Sequence, residues 1–186
     1  MGLRGNVGKA YCKSRRNNLT NKQQTTNNCC GLLVVSRMLI YIGADHRGFQ
    51  LKEALKKFLK DQGYELIDVG NDHYDEQDDY PDFAKLAARS VNQDPFNRRG
   101  VLICGSGVGV DIVANKFNGI RSALAFNADQ AYLSRYDDDV NVLSLAADFL
   151  DEETAKQILK TWLATAFSNK EHHKRRLNKI REIENQ

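Results

Sequence analysis

From Met38 to the end of the chain, short apolar runs alternate with longer amphipathic stripes. That alternation is the pattern of a parallel sheet covered by helices on both faces, an α/β fold in three layers. Strands are expected at residues 39–43, 64–69, 100–104, 122–126 and 141–145. The first helix carries Leu51, Ala54, Leu55, Phe58 and Leu59 on one face and stops at Gly63. The second starts at Pro81, which suits a first helical turn, and runs to about residue 91. A third is expected over 110–117 and a fourth over 129–136. The fifth keeps Ala155, Ile158, Leu159, Trp162, Leu163 and Ala166 in register behind an Asp151 cap. A basic helix over 171–185 closes the chain. Residues 100–104 are almost continuously apolar, which points to a strand in mid-sheet, buried on both faces. The total of 186 residues suits one domain, assigned to residues 38–186.

The net charge of +3 is unevenly distributed. Residues 1–37 hold seven Lys or Arg and no acid, so the remainder, with 20 basic against 24 acidic residues, is at −4. The first segment is rich in Asn, Gln, Thr, Lys and Gly without helical or strand periodicity, and is expected to be a disordered basic leader. An organelle transit peptide is one account of it; the favoured account is that the native chain begins at Met38. The apolar patch at 29–35 is too short to span a membrane, and no secretory signal is evident, so a cytoplasmic protein is expected. Cys12, Cys29, Cys30 and Cys104 form neither a disulfide framework nor a zinc spacing, which fits a reducing compartment. Because the basic charge lies in the leader, neither a nucleic-acid nor a membrane partner is expected.

The stretch Val101-Leu102-Ile103-Cys104-Gly105-Ser106-Gly107-Val108-Gly109 ends an apolar strand in a glycine-rich turn. Backbone N–H groups left unpaired there form a cradle for negative charge, and a following helix would add the positive end of its dipole. Close packing alone would explain such a turn equally well. A second turn, Gly43-Ala44-Asp45-His46-Arg47-Gly48, follows the first strand. In open α/β sheets ligands lie beyond the carboxyl ends of the strands, where both turns are expected. Neither carries a dinucleotide or P-loop spacing. The acidic stretch with Asp72, Asp75, Glu76, Asp78 and Asp79 lacks the spacing and glycine of a calcium loop, and is expected to be a solvated rim.

Ile42-Gly43-Ala44-Asp45-His46-Arg47-Gly48-Phe49, Asp79-Tyr80-Pro81, the Cys104 turn, and Ala114-Asn115-Lys116-Phe117-Asn118-Gly119-Ile120-Arg121, in this order, resemble the type B ribose-5-phosphate isomerase family. That family includes the two subunits of galactose-6-phosphate isomerase. The resemblance implies a Rossmann-like domain with a five-stranded, mainly parallel sheet and a C-terminal helical extension. It further implies a homodimer or dimer of dimers, no metal or organic cofactor, and aldose–ketose interconversion of a phosphorylated sugar. Moving a carbonyl between C1 and C2 needs a base for a carbon-bound proton and a relay between two oxygens. Cys104 is the candidate base and Ser106 the relay, with the N–H groups of Gly105, Gly107, Val108 and Gly109 holding the enediolate. By resemblance, Asp45 meets a sugar hydroxyl, His46 lies near the phosphate, Tyr80 lines the pocket, and His173 and Arg176 close over the phosphate from the partner subunit.

Four positions depart from the family pattern. Asp137 and Asp138 stand where the family has His-Asn, the histidine being assigned to ring opening. Asp148 and His172 stand where arginines are common. Asp137 can still act as a base toward a ring hydroxyl. The added carboxylates are expected to repel a dianionic phosphate. Two functions follow: an isomerase, most directly of ribose 5-phosphate, using a cysteine base, or a non-catalytic or heteromeric sugar-phosphate-binding subunit.

Overall fold

Alternate residues of the central strands part to opposite faces, and both faces are apolar. In β1 (Leu39–Ala44) Ile40 and Ile42 enter one core while Tyr41 enters the other. In β3 (Arg98–Cys104) Val101 and Ile103 divide from Leu102 and Cys104 in the same way. A strand buried on both sides needs cover on both sides, which the helices supply. The computed structural model describes residues 38–186. It adds β2 (Glu65–Asp68), β4 (Ser122–Leu124) and β5 (Val142–Ala146), giving one sheet in the order β2-β1-β3-β5-β4. All four strand pairings are parallel, so the sheet is wholly rather than mainly parallel.

Helix α1 (Phe49–Asp61) and α5 (Glu152–Ala164) pack on the Ile40 face through Leu51, Leu55, Leu59, Ile158, Leu159 and the fully buried Trp162. Helix α2 (Tyr80–Asn92) and α3 (Val108–Ala114) cover the other face, where Ala84, Ala87 and Ala88 bring α2 close to the strands. Helix α4 (Ala128–Asp138) joins β4 to β5, and α6 (Glu171–Glu184) is the C-terminal extension. Asp151 caps α5 as expected, its Oδ1 accepting the Thr154 N–H at 2.8 Å.

Some boundaries differ from the sequence expectation. α3 ends at Ala114, short of Phe117, because Asn115 leaves the helix. Its amide donates to the Asp111 and Ser122 carbonyls, and its Oδ1 accepts the Ser122 N–H at 2.9 Å, turning the chain into β4. β4 is only three residues long at the sheet edge. α4 extends to Asp138, which puts both Asp137 and Asp138 in its last turn. The expectations for residues 1–37 lie outside the described residues. Among the described residues no helix is long and apolar enough to cross a membrane.

The chain leaves β1 toward β2 on one side and returns to β3 on the other. The crevice beyond the carboxyl ends of β1 and β3 is therefore the topological switch point, the place where such sheets receive ligands.

Candidate active site

Cys104 is the last residue of β3 and only 4% exposed. The chain then turns sharply enough that the Gly107 N–H donates to Cys104 Sγ at 3.1 Å. Gly107 has φ +72°, a conformation that L side chains rarely adopt, and an added Cβ would meet the Leu145 carbonyl carbon at 3.0 Å. Glycine is thus what lets the turn fold back on its own sulfur. The end of β5 fixes the turn from the far side: Ala147 N–H donates to the Cys104 carbonyl at 2.9 Å, and Asp148 N–H to the Gly105 carbonyl at 3.0 Å. Ser106 is exposed, its Oγ accepting the Val108 N–H at 3.4 Å. α3 has only seven residues, so its dipole adds less at this turn than a long helix would.

The turn after β1 faces this one. Asp45 is 6% exposed, and its Oδ1 accepts the Gly48 N–H at 3.0 Å. Burial raises the Asp45 pKa, with the Gly48 N–H acting in the opposite sense. Gly48 lies so close to β3 that a Cβ would stand 2.7 Å from the Ile103 carbonyl oxygen. Together with Tyr80, whose ring packs against Gly109, the two turns enclose a cavity of about 380 Å³. Asp45, Arg47, Tyr80, Cys104, Ser106 and Gly109 line it, with Gly105, Val108 and Ile112 completing the wall.

His46 stands between two cavity residues. Asp78 Oδ1 accepts its backbone N–H at 2.9 Å and lies 2.8 Å from its Nδ1. That hydrogen bond raises the pKa of His46, against the opposing effect of burial. Asp78 is held in turn by the Asn71 side-chain amide at 3.1 Å, and its own side chain is only 5% exposed. The acidic loop is therefore not a solvated rim throughout, since one of its carboxylates is a buried support for His46.

The remaining candidates lie elsewhere within the chain. Asp137 and Asp138 end α4, just before β5 begins, whereas Cys104 aligns with Ala146 at the end of β5. They therefore sit at the opposite end of the sheet. His173 is buried on α6, with Nε2 at 3.5 Å from Asp137 Oδ1 and Nδ1 at 2.7 Å from Ser168 Oγ. Arg176 is exposed on the same helix, and Asp138 lines a separate groove with Arg121 and Glu184. None of these four lines the Cys104 cavity.

Two site features escaped the sequence reading. Asp78 gave no local signal, because its partner is 32 residues away. Arg47, in the turn after β1, lines the cavity and pairs with Asp148, 101 residues away. Asp148 is consequently paired with a guanidinium rather than an unanswered charge.

A model of the family described as Ribose/Galactose Isomerase matches residues 40–180. The chain is 43% identical over 136 residues to a probable ribose-5-phosphate isomerase B of Mycoplasma pneumoniae, covering 73% of this chain and 89% of that one. It is 36% identical over 150 residues to ribose-5-phosphate isomerase B of Mycobacterium tuberculosis, with 81% and 92% covered. The crystal structure of the Mycoplasma genitalium ribose-5-phosphate isomerase B with bound ribulose-5-phosphate aligns with a TM-score of 0.78 at 37% identity, covering 80% of this chain and 97% of that one. The ribose-5-phosphate isomerase B of Clostridium thermocellum aligns with a TM-score of 0.76 at 42% identity, covering 80% and 98%.

Proposed function

The chain belongs to the ribose/galactose isomerase family and is a sugar-phosphate aldose–ketose isomerase; from that premise we propose that it interconverts ribose 5-phosphate and ribulose 5-phosphate, with Cys104 as the base. The observation that carries the reading is the Cys104 turn, a sulfur at a strand's carboxyl end that accepts the Gly107 N–H and lines a cavity with Asp45 and Ser106.

In the direction from aldose to ketose, Cys104 takes the proton from C2. The electron pair forms the C1–C2 double bond, and negative charge appears on O1. The N–H groups of Gly105 and Gly109 hold that charge, those of Gly107 and Val108 being engaged by Cys104 Sγ and Ser106 Oγ; one such donor typically lowers a barrier by about 3–4 kcal/mol. Ser106 takes the hydroxyl proton of O2 and delivers one to O1. The protonated sulfur returns its proton to C1, leaving a carbonyl at C2 and no net change in the enzyme. Asp45 orients a sugar hydroxyl, Tyr80 covers the ring, and His46, whose pKa the Asp78 hydrogen bond raises, faces the phosphate.

Asp137, Asp138, His173 and Arg176 serve this cavity from a second copy of the chain, in a homodimer or a dimer of dimers. Support for that arrangement comes from the position of Asp137 and Asp138 at the opposite end of the sheet from Cys104, with His173 Nε2 3.5 Å from Asp137. Asp137 there acts as base toward the ring hydroxyl, with His173 beside it. The enzyme is placed in the cytoplasm and needs no metal or organic cofactor. The similarity to ribose-5-phosphate isomerases does not favour the non-catalytic subunit.

The test is to incubate the protein with ribose 5-phosphate and follow ribulose 5-phosphate. Turnover that disappears in Cys104→Ala is expected; equal activity in that variant would refute the cysteine base.

A further inference from the structure

We propose that Arg47 binds the substrate's phosphate at the mouth of the Cys104 cavity, and that Asp148 is the positioning residue that holds the guanidinium there. The inference rests on the isomerase reading above. Arg47 is the one cationic side chain lining the cavity among the described residues. Its Nη2 donates to Asp148 Oδ2, and among the described residues Nε and Nη1 have no hydrogen-bond partner. Those donors are available to a ligand.

The guanidinium is located from two directions. On one side it lies against Gly105, where an added Cβ would collide with Nε and Cζ and come within 2.8 Å of Asp148 Oδ2. On the other, the Asp148 backbone is tied to the same turn through its N–H bond to the Gly105 carbonyl. The Arg47 side chain is 57% exposed and that of Asp148 34%. An ion pair so open to solvent adds little to stability. It is nevertheless packed onto Gly105, the residue following the cysteine, where a side chain would have to displace it.

Charge balance indicates what the arginine is for. The carboxylate lining the cavity is Asp45, and a phosphate dianion would enter against it. A planar guanidinium with free donors matches two phosphate oxygens at once, a geometry an ammonium does not reproduce. Asp148 takes up part of the charge but fixes the fork in one orientation, so less freedom is lost when the ligand arrives.

The test is steady-state kinetics with ribose 5-phosphate together with inhibition by inorganic phosphate, for wild type, Arg47→Ala, Arg47→Gln, Arg47→Lys and Asp148→Asn. Loss of a charge-assisted contact of this kind corresponds to about 10- to 100-fold in affinity. Arg47→Ala is expected to raise KM and weaken phosphate inhibition by that factor, with kcat within about threefold of wild type. Arg47→Lys should recover part of the loss. Asp148→Asn should raise KM less, and should add nothing further in the Arg47→Ala background, as coupled residues do. Arg47→Gln replaces Arg47→Ala if the latter does not melt like wild type. KM and phosphate inhibition both within about twofold of wild type would overturn the assignment, as would a fall in kcat at constant KM. Calorimetry of ribose 5-phosphate with Cys104→Ala separates the two levels of the argument. Absent turnover by wild type and absent binding by Cys104→Ala would remove the substrate reading and this inference with it. Turnover by wild type that Arg47→Ala leaves untouched would remove this inference alone.

Discussion

Asp78 holds His46 twice, accepting its backbone N–H at 2.9 Å and standing 2.8 Å from its Nδ1 with the same Oδ1. Ring and backbone are fixed by one carboxylate, and the bond raises the histidine pKa above its ordinary 6.5. A raised histidine pKa means that folding favours the charged ring. The stability this supplies is fully present below the unfolded value and is lost as pH rises through the folded value. KM for ribose 5-phosphate should climb over the same window as His46 loses its charge. In Asp78→Asn the His46 titration, followed by proton NMR of the ring, should move back toward about 6.5. A titration unchanged by that substitution would show that Asp78 does not set it.

Gly107 carries the turn on a positive φ of 72°. Gly107→Ala forces a side chain into that conformation, which costs about 1–3 kcal/mol before any clash is counted. Contact with Leu124 and the Leu145 backbone adds to it. Because the Gly107 N–H is the donor to Cys104 Sγ, kcat should fall along with stability. Urea midpoints and turnover measured on the same preparation check both; a stable variant with full kcat would mean that the Gly107–sulfur bond plays no part in the chemistry.

Lys52 is fully buried, with Nζ donating to Asp68 Oδ2 at 2.9 Å and to the Asn71 carbonyl. Burial pushes the Asp68 pKa up, but hydrogen bonds from Lys56 and Lys52 prevail and hold it below the ordinary value. A depressed carboxylate pKa contributes stability that is present above the unfolded value and lost as pH falls through the folded one. Acid should therefore weaken the protein below about pH 4, and Asp68→Asn should flatten that dependence. Lys52→Met removes one donor each from the Asn71 carbonyl and from Asp68, which keeps Lys56 and the Gly70 N–H, at a cost of about 1–3 kcal/mol. Urea midpoints against pH test both statements.

Periodicity made the scaffold legible. The α1 stripe and the apolar 100–104 run translate directly into a helix on the Ile40 face and a strand covered on both sides. The end of α3 was not legible, because Val113 and Phe117 extend the apolar stripe while Asn115, a polar residue with two hydrogen bonds to Ser122 of β4 and one to the Asp111 carbonyl, stops the helix. At the site, Cys104, Asp45 and Ser106 announce themselves through turns at strand ends, and Tyr80 only through the family resemblance. The supports do not: Asp78 meets His46, and Asp148 meets Arg47, only because a parallel sheet brings distant loops to one edge. No local pattern encodes such a meeting.

Asp137 and Cys104 lie at opposite ends of the same sheet, so a site that uses both must draw them from two chains. Cys104→Ala and Asp137→Ala should each be inactive on ribose 5-phosphate by themselves. In a dimer with two shared sites, a mixed pair has one cavity carrying both substitutions and one carrying neither. Unfolding and refolding equal amounts together should thus restore about a quarter of wild-type activity, the value for random pairing of two-fold-related subunits. Asp137 is assigned only to ring opening, and its loss should lower kcat by about 10²–10⁴-fold on a furanose substrate. An aldose phosphate too short to close a ring has no such step, and if it is turned over it should be handled equally well by wild type and Asp137→Ala. Absence of complementation on mixing would place the ring-opening group within the same chain as Cys104.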